Sequence, residues 1–227
     1  MEIINATGIR KTYNPNKIPV HALQGLDLHI RKGEFTAIVG PSGSGKTTLL
    51  NIIGGLDQPD EGKVIIHGTD ISELSDNQLI NFRRDNIGFV FQSYNLIPVF
   101  TAIENIEFIM MLQKKSKKER TERAEYLLKA VHLEDKMYKR PNELSGGEQQ
   151  RVAVARALAS NPAFVLADEP TANLDSKSTA NLLDMMLDLN EEENMTFVFS
   201  THDQRVIDRA RRVITLVDGK ILEDAFH

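Results

Sequence analysis

Phe35-Thr36-Ala37-Ile38-Val39 runs without a spacer into the loop Gly40-Pro41-Ser42-Gly43-Ser44-Gly45-Lys46-Thr47. A helix-like segment, Thr47 to Ile53, follows at once and stops at Gly54-Gly55. Buried strand, glycine loop and helix in that order leave few folds open. Glycines let the loop curl until several backbone N–H groups face one point, and the helix aims its positive end at the same place. A loop of this spacing binds phosphate. Within it, Lys46 would reach the β- and γ-phosphates of a nucleotide, and the Thr47 hydroxyl would ligate Mg²⁺.

The rest of the chain extends the same architecture. Val20 to Ile30 alternates apolar and polar residues toward its end, the pattern of a half-buried antiparallel strand. Lys63 to Gly68, Phe164 to Ala167 and Thr196 to Thr201 read as further strands, and Thr179 to Glu192 reads as a helix. Strands alternating with helices imply a mainly parallel α/β sheet. From Thr101 to about Met137 the pattern is helical with no strand candidate, so a helical insertion is expected there. The basic run Lys114 to Arg120 is read as a solvated turn between helices rather than a nucleic-acid patch.

Two further motifs carry chemistry. The strand Phe164-Val165-Leu166-Ala167 ends in Asp168-Glu169, which places two carboxylates at the sheet edge where ligands bind in open α/β folds. Asp168 is placed to hold Mg²⁺ and Glu169 to accept a proton from an attacking water. Between the phosphate loop and this strand lies Leu144-Ser145-Gly146-Gly147-Glu148-Gln149-Gln150. Ser145 with Glu148 three residues on is a capping box that starts a helix running to Asn161-Pro162. The paired glycines cost that helix up to about 1 kcal/mol each, a cost that close approach by an anion explains.

The three motifs, in this order, resemble those of the ATP-binding-cassette (ABC) ATPases, and the likeness covers essentially the whole chain. The resemblance implies an α/β P-loop core with an antiparallel β-subdomain and an inserted helical subdomain. Residues 1–227 would form one such domain, with its core at 1–92 and 148–227 and its helical part at about 93–147. The ligands implied are ATP and Mg²⁺. Gly40, Pro41, Ser42, Gly43, Ser44, Gly45, Lys46, Thr47 and Thr48 would hold the phosphates of one ATP. Ser145, Gly146, Gly147 and Glu148 would hold the same ATP from a second copy of the chain. Tyr13 would stack on adenine, and Gln92, after the strand Ile87 to Phe91, would sense the γ-phosphate and ligate Mg²⁺. His202 would contact the γ-phosphate, and Asp175 in Ala172-Asn173-Leu174-Asp175 would communicate across the dimer. Two positions depart from the family: Glu148 where Gln is frequent, and Ala172 where Gly is frequent.

Asn51 to Asp57, Phe91 to Pro98 and Thr101 to Ile106 add a finer likeness, to the branch of lipoprotein-release and macrolide-export ATPases. That branch works with an integral membrane permease, so a cytoplasmic subunit held on the inner face of the membrane is implied. A relative that transmits force or serves cell division would carry the same ATPase residues, and that alternative stays open. The loop Ser93 to Phe100 mixes Tyr94, Leu96, Ile97, Val99 and Phe100 with Pro98 and is expected to face the permease, with Leu96 outward.

Composition narrows the partners. The 227 residues, 41% apolar, suffice for one sizeable core, and a formal charge of −5 argues against nucleic acid as the main partner. The absence of cysteine excludes disulfides and thiolate metal sites. The opening Met1-Glu2-Ile3-Ile4-Asn5 does not read as a signal peptide, and no window is apolar enough to span a bilayer.

Overall fold

Ten strands and seven α-helices alternate through residues 1–227, the whole of which a computed structural model describes. Two sheets organise them. In the first, β1 (Glu2–Tyr13) pairs antiparallel with β2 (Val20–Arg31) on one side and with β4 (Glu61–Ile66) on the other, and β5 (Thr69–Asp70) extends that edge. The second has the order β10-β9-β3-β8-β7-β6. It contains β3 (Phe35–Val39), β6 (Ile87–Val90), β7 (Phe164–Asp168), β8 (Phe197–Ser200) and β9 (Arg212–Val217), all parallel, with β10 (Lys220–Phe226) closing one edge antiparallel.

Why the parallel strands read as continuous apolar runs is visible in β7. Phe164 and Leu166 enter a buried cluster of 23 residues on one face of the sheet; Val165 and Ala167 enter one of 29 on the other. In β8, Val198 joins the first, while Phe197 and Phe199 join the second. A strand covered on both faces has no solvent side on which to place polar residues. The smaller cluster is completed by α1 (Lys46–Ile53) and the antiparallel sheet. The larger is completed by α3 (Ala102–Leu112), α4 (Lys117–Ala130), α5 (Gly146–Ala159) and α6 (Ser176–Glu193).

The Thr101–Met137 stretch is helical but divided. Thr101 caps α3 and Ser116 caps α4, each in a capping box closed by a glutamate three residues on. The basic run is therefore half turn and half first helical turn. The inserted helices own no separate core: Ile106, Leu127 and Leu128 pack in the same cluster as Val165 and Phe197.

The loop after β6 corrects an expectation. Leu96 is half-buried and packed against the larger cluster, and Tyr94, Ile97 and Phe100 are half-buried as well. Val99, 71% exposed, is the outward apolar residue. The cause is Asn105 of α3, which is fully buried. Its amide donates to the carbonyls of Ile97 (3.2 Å), Phe100 (3.2 Å) and Thr101 (2.9 Å), and its oxygen accepts from the Ile97 N–H at 2.8 Å. Those bonds wrap the loop back onto the protein.

Among the elements that the sequence pattern did not mark are the short β5, α2 (Asp76–Asn86), the four-residue α7 (Gln204–Ile207) and both strands of the β9–β10 hairpin. Only Leu79 of α2 is buried, so the helix shows little apolar periodicity. The hairpin had a signal in Asp218-Gly219, whose φ values of 47° and 71° suit a tight turn of the kind that twists with its strands.

Candidate active site

Four strands that lie side by side, β3, β8, β7 and β6, end at one edge of the parallel sheet, and each delivers a candidate residue there. β3 runs into Gly40, β8 into Thr201 and His202, β7 into Asp168 and Glu169, and β6 into Gln92. The carboxyl ends of parallel strands are where open α/β sheets bind ligands. A cleft of about 760 Å³ opens at this edge, lined by Gly40 to Gly43, Gly45 to Thr48, Tyr13, Gln92, Glu169 and His202 together with Val20, Ala22, Ala172 and Ser200.

The glycine loop is set by its packing. Gly45 has φ 103°, and a Cβ there would lie 2.4 Å from the Ala22 carbonyl, so glycine is required where the loop passes β2. Lys46 Nζ donates to the carbonyls of Gly40 (2.9 Å) and Pro41 (3.0 Å), which folds the ammonium back over the loop. Ser44 departs from the expected arrangement. It is 2% exposed, does not line the cleft, and its carbonyl accepts from the Gly219 N–H at 3.0 Å. Its side chain belongs to the packing under the loop.

The carboxylates sit at two depths. Asp168 lies beneath the cleft, with Oδ2 3.4 Å from Thr47 Oγ1, while its Oδ1 is buried without a hydrogen-bond partner. Ser200 Oγ, opposite it in the parallel register, is buried and unpartnered as well. Burial is the largest influence on the Asp168 carboxyl and pushes it above its ordinary range; the nearby Ser200 hydroxyl opposes the rise, the Glu169 charge adds to it, and Thr47 and Lys46 oppose it less. A carboxylate with one oxygen beside the Thr47 hydroxyl and the other unpartnered suits a magnesium ion, which binds through few protein ligands plus phosphates. Glu169 is reached with φ 46°, a conformation uncommon for a residue with a side chain, and its N–H is held by the Ser200 carbonyl at 2.9 Å. Its Oε1 lies 2.8 Å from His202 Nδ1, and its Oε2 accepts from Thr201 Oγ1 at 3.4 Å.

Tyr13 stands at the rim, at the end of β1, and its hydroxyl donates to Asp57 Oδ2 at 2.7 Å. Gln92 is exposed at the opposite side, and its carbonyl accepts from Asn173 Nδ2 at 3.0 Å.

Ser145, Gly146, Gly147, Glu148 and Asp175 are not brought to this cleft. Ser145 caps α5, with its N–H bonded to Glu148 Oε2 at 2.7 Å, and its side is open to solvent. Asp175 caps α6, accepting from the Lys177 and Ser178 N–H groups at 2.9 Å each. The glycine pair has a packing reason besides anion approach. A Cβ on Gly146 would lie 2.8 Å from Tyr94 Oη, and one on Gly147 2.9 Å from Ser178 Oγ.

One residue inside α5 went unread as part of the site. Gln150 is fully buried, and its amide donates to the Pro170 carbonyl at 2.7 Å and the Phe91 carbonyl at 3.3 Å. It thereby joins α5 to the residues next to Glu169 and Gln92. A polar residue amid the apolar positions of that helix was its only signal.

The sequence model of the family described as "ABC transporter" matches residues 23–172. The chain is 47% identical over 223 residues to an uncharacterized ABC transporter ATP-binding protein, MJ0796, of Methanocaldococcus jannaschii, covering 96% of this chain and 95% of that one. A solved dimeric structure of the MJ0796 cassette, in a post-hydrolysis state bound to ADP and Pi, superimposes with a TM-score of 0.89 at 45% identity, covering 99% of this chain and 98% of the other. The lipoprotein-releasing system ATP-binding protein LolD of Bacteroides thetaiotaomicron is 46% identical over 222 residues, 98% of this chain and 100% of the relative. The macrolide export ATP-binding/permease protein MacB of Marinobacter nauticus is 45% identical over 222 residues, which is 98% of this chain but 34% of that longer protein.

Proposed function

Because this chain belongs to the ABC transporter family, as an ATP-binding subunit, we propose that two copies close head to tail around two Mg·ATP and so drive a separate membrane permease. The observation that carries this reading is the division of the candidate residues. The phosphate loop, Gln92, Glu169 and His202 share one cleft, whereas Ser145 and Asp175 cap helices outside it. A second copy related by a two-fold axis would present its Ser145 segment to this cleft and receive the same in return, giving two equivalent sites.

In this reading the residues of the chain divide the chemistry. The loop amides that line the cleft, from Ser42 and Gly43 and from Gly45 to Thr48, bind the phosphates, and Lys46 exchanges two neutral carbonyls for anionic oxygens, the stronger acceptors. Thr47, Asp168 and Gln92 would hold Mg²⁺, which when bound supplies charge neutralisation of the phosphate oxygens. Glu169 takes the proton of the attacking water as its oxygen bonds to the γ-phosphorus and the bond to the β,γ-bridging oxygen breaks, leaving ADP and phosphate. His202, 2.8 Å from Glu169, orients that carboxylate and reaches the γ-phosphate. The segment 93–147 acts as a helical subdomain that carries Ser145 to the partner. ATP bridging favours the closed pair, and hydrolysis removes the bridge.

No helix of the chain is long and apolar enough to cross a membrane. The likeness to LolD and MacB supports a peripheral place on the inner face of the membrane and a role in lipoprotein release or macrolide export. The test is Glu169→Gln. It should lower turnover at least 100-fold while retaining ATP, and on a sizing column it should run as an ATP-dependent dimer. Near-normal hydrolysis would refute the assignment.

A further inference from the structure

Tyr13 does not stand at the rim of the cleft unaided. Its hydroxyl donates to Asp57 Oδ2 at 2.7 Å, and the other oxygen of that carboxylate takes Lys11 Nζ at 2.8 Å. Lys11 Nζ also donates to the Gln58 carbonyl at 2.7 Å and lies 5.4 Å from the centre of the Tyr13 ring. Burial raises the Asp57 carboxyl, but the bonds from Lys11, Tyr13 and the Gln58 N–H outweigh it and hold the group ionised below its ordinary range.

Asp57 is itself anchored to the phosphate loop. It follows α1, the helix that the loop opens, and its N–H bonds to the Asn51 carbonyl at 3.2 Å, beside the Leu56 N–H at 2.7 Å on the same acceptor. Arg83 clamps the intervening turn through the Gly55 carbonyl at 2.6 Å. An eight-residue helix is about 12 Å long. The aromatic ring stands on β1 of the antiparallel sheet and the phosphate cradle joins β3 of the parallel sheet to α1, yet the two are braced against one another through one carboxylate.

We propose that Asp57, with Lys11, is a positioning residue for the base of the bound nucleotide, holding the Tyr13 ring at a fixed distance from the phosphate loop. The inference rests on the reading of Tyr13 as the base platform. Stacking alone is served by any aromatic face, so phenylalanine would substitute freely if the hydroxyl had no task. With the ring tethered, part of the cost of ordering the site is met before the ligand arrives.

Calorimetric titration with ADP and with pyrophosphate separates the base from the phosphates. Tyr13→Phe and Asp57→Ala should each weaken ADP about fivefold, the loss of one hydrogen bond's worth of preorganisation. In the double variant, removing the hydroxyl should add nothing once Asp57 is gone. Pyrophosphate should bind all of them as it binds the unaltered protein. ADP affinity unchanged in Tyr13→Phe, additive effects in the double variant, or a parallel loss of pyrophosphate in Asp57→Ala would overturn the proposal. Tyr13→Ala tells this apart from a failure of its premise: if even that variant kept full ADP affinity, the ring would not be the base platform at all.

Discussion

Asp203, directly after His202, has most of its acceptor capacity in use. One oxygen takes the Arg205 N–H and Nε at 2.9 Å each, and the other takes Arg205 Nη2 at 2.7 Å and Thr171 Oγ1 at 2.8 Å. The Arg205 hydrogen bonds dominate, with Thr171 assisting against the opposing effect of burial, and the carboxyl falls from 3.8 to about 2. A depressed folded-state value means stability that is complete above the unfolded pKa and lost as pH falls through the folded one. The contribution should therefore disappear between about pH 4 and pH 2. Urea midpoints measured across that window should fall less steeply in Asp203→Asn than in the unaltered protein; equal slopes would show that the group is not so tuned. The functional interest is that Thr171 follows Glu169-Pro170, so its hydrogen bond to Asp203 ties the loop bearing Glu169 to the one bearing His202, while Arg205 holds the Asp203 carboxylate in place.

At the scale of elements, the segment between β6 and α3 is a loop shaped by the helix after it. Asn105 gathers its carbonyls, and Arg156 of α5 donates to those of Tyr94 (2.9 Å) and Asn95, both of which have positive φ. Burial lowers the Arg156 pKa. A loop held so firmly can pass a displacement of Gln92 to whatever rests on its outer side, where Val99 and Pro98 are exposed. The two apolar residues should consequently respond differently to charge. Val99→Glu should leave folding and nucleotide binding intact while reducing co-purification with the membrane partner several-fold. Leu96→Glu puts a carboxylate against the core and should lower the melting temperature by several degrees. Thermal melts paired with pull-downs from membranes distinguish the two, and a Val99→Glu protein that still binds its partner fully would count against this face as the contact.

The whole molecule is half of its own active site in the reading proposed, and mixing experiments address that directly. Lys46→Ala chains and Ser145→Arg chains each give homodimers with two damaged sites, but a mixed dimer holds one intact site and one doubly damaged. ATP-dependent dimerisation should reappear on mixing to about half the unaltered level, and closure no greater than that of either parent would argue against action in trans. Much of this was legible in the chain itself. The continuous apolar runs Phe35 to Val39 and Phe164 to Ala167 announced strands buried on both faces, and Gly40 to Thr47, Ser145 to Glu148 and Asp168-Glu169 announced chemistry, because backbone reach and local spacing alone shape a phosphate loop, a capping box and a strand end. Strand order was not legible. That β3, β8, β7 and β6 lie adjacent, so that Gly40, His202, Glu169 and Gln92 meet, depends on pairings between segments far apart in sequence. The brace from Asp57 to Tyr13, the inward turn of Leu96 around Asn105 and the bridge made by Gln150 are of the same kind. Each is a polar side chain whose partner is supplied by another element, and a hydrogen bond has no periodicity to betray it before the chain has folded.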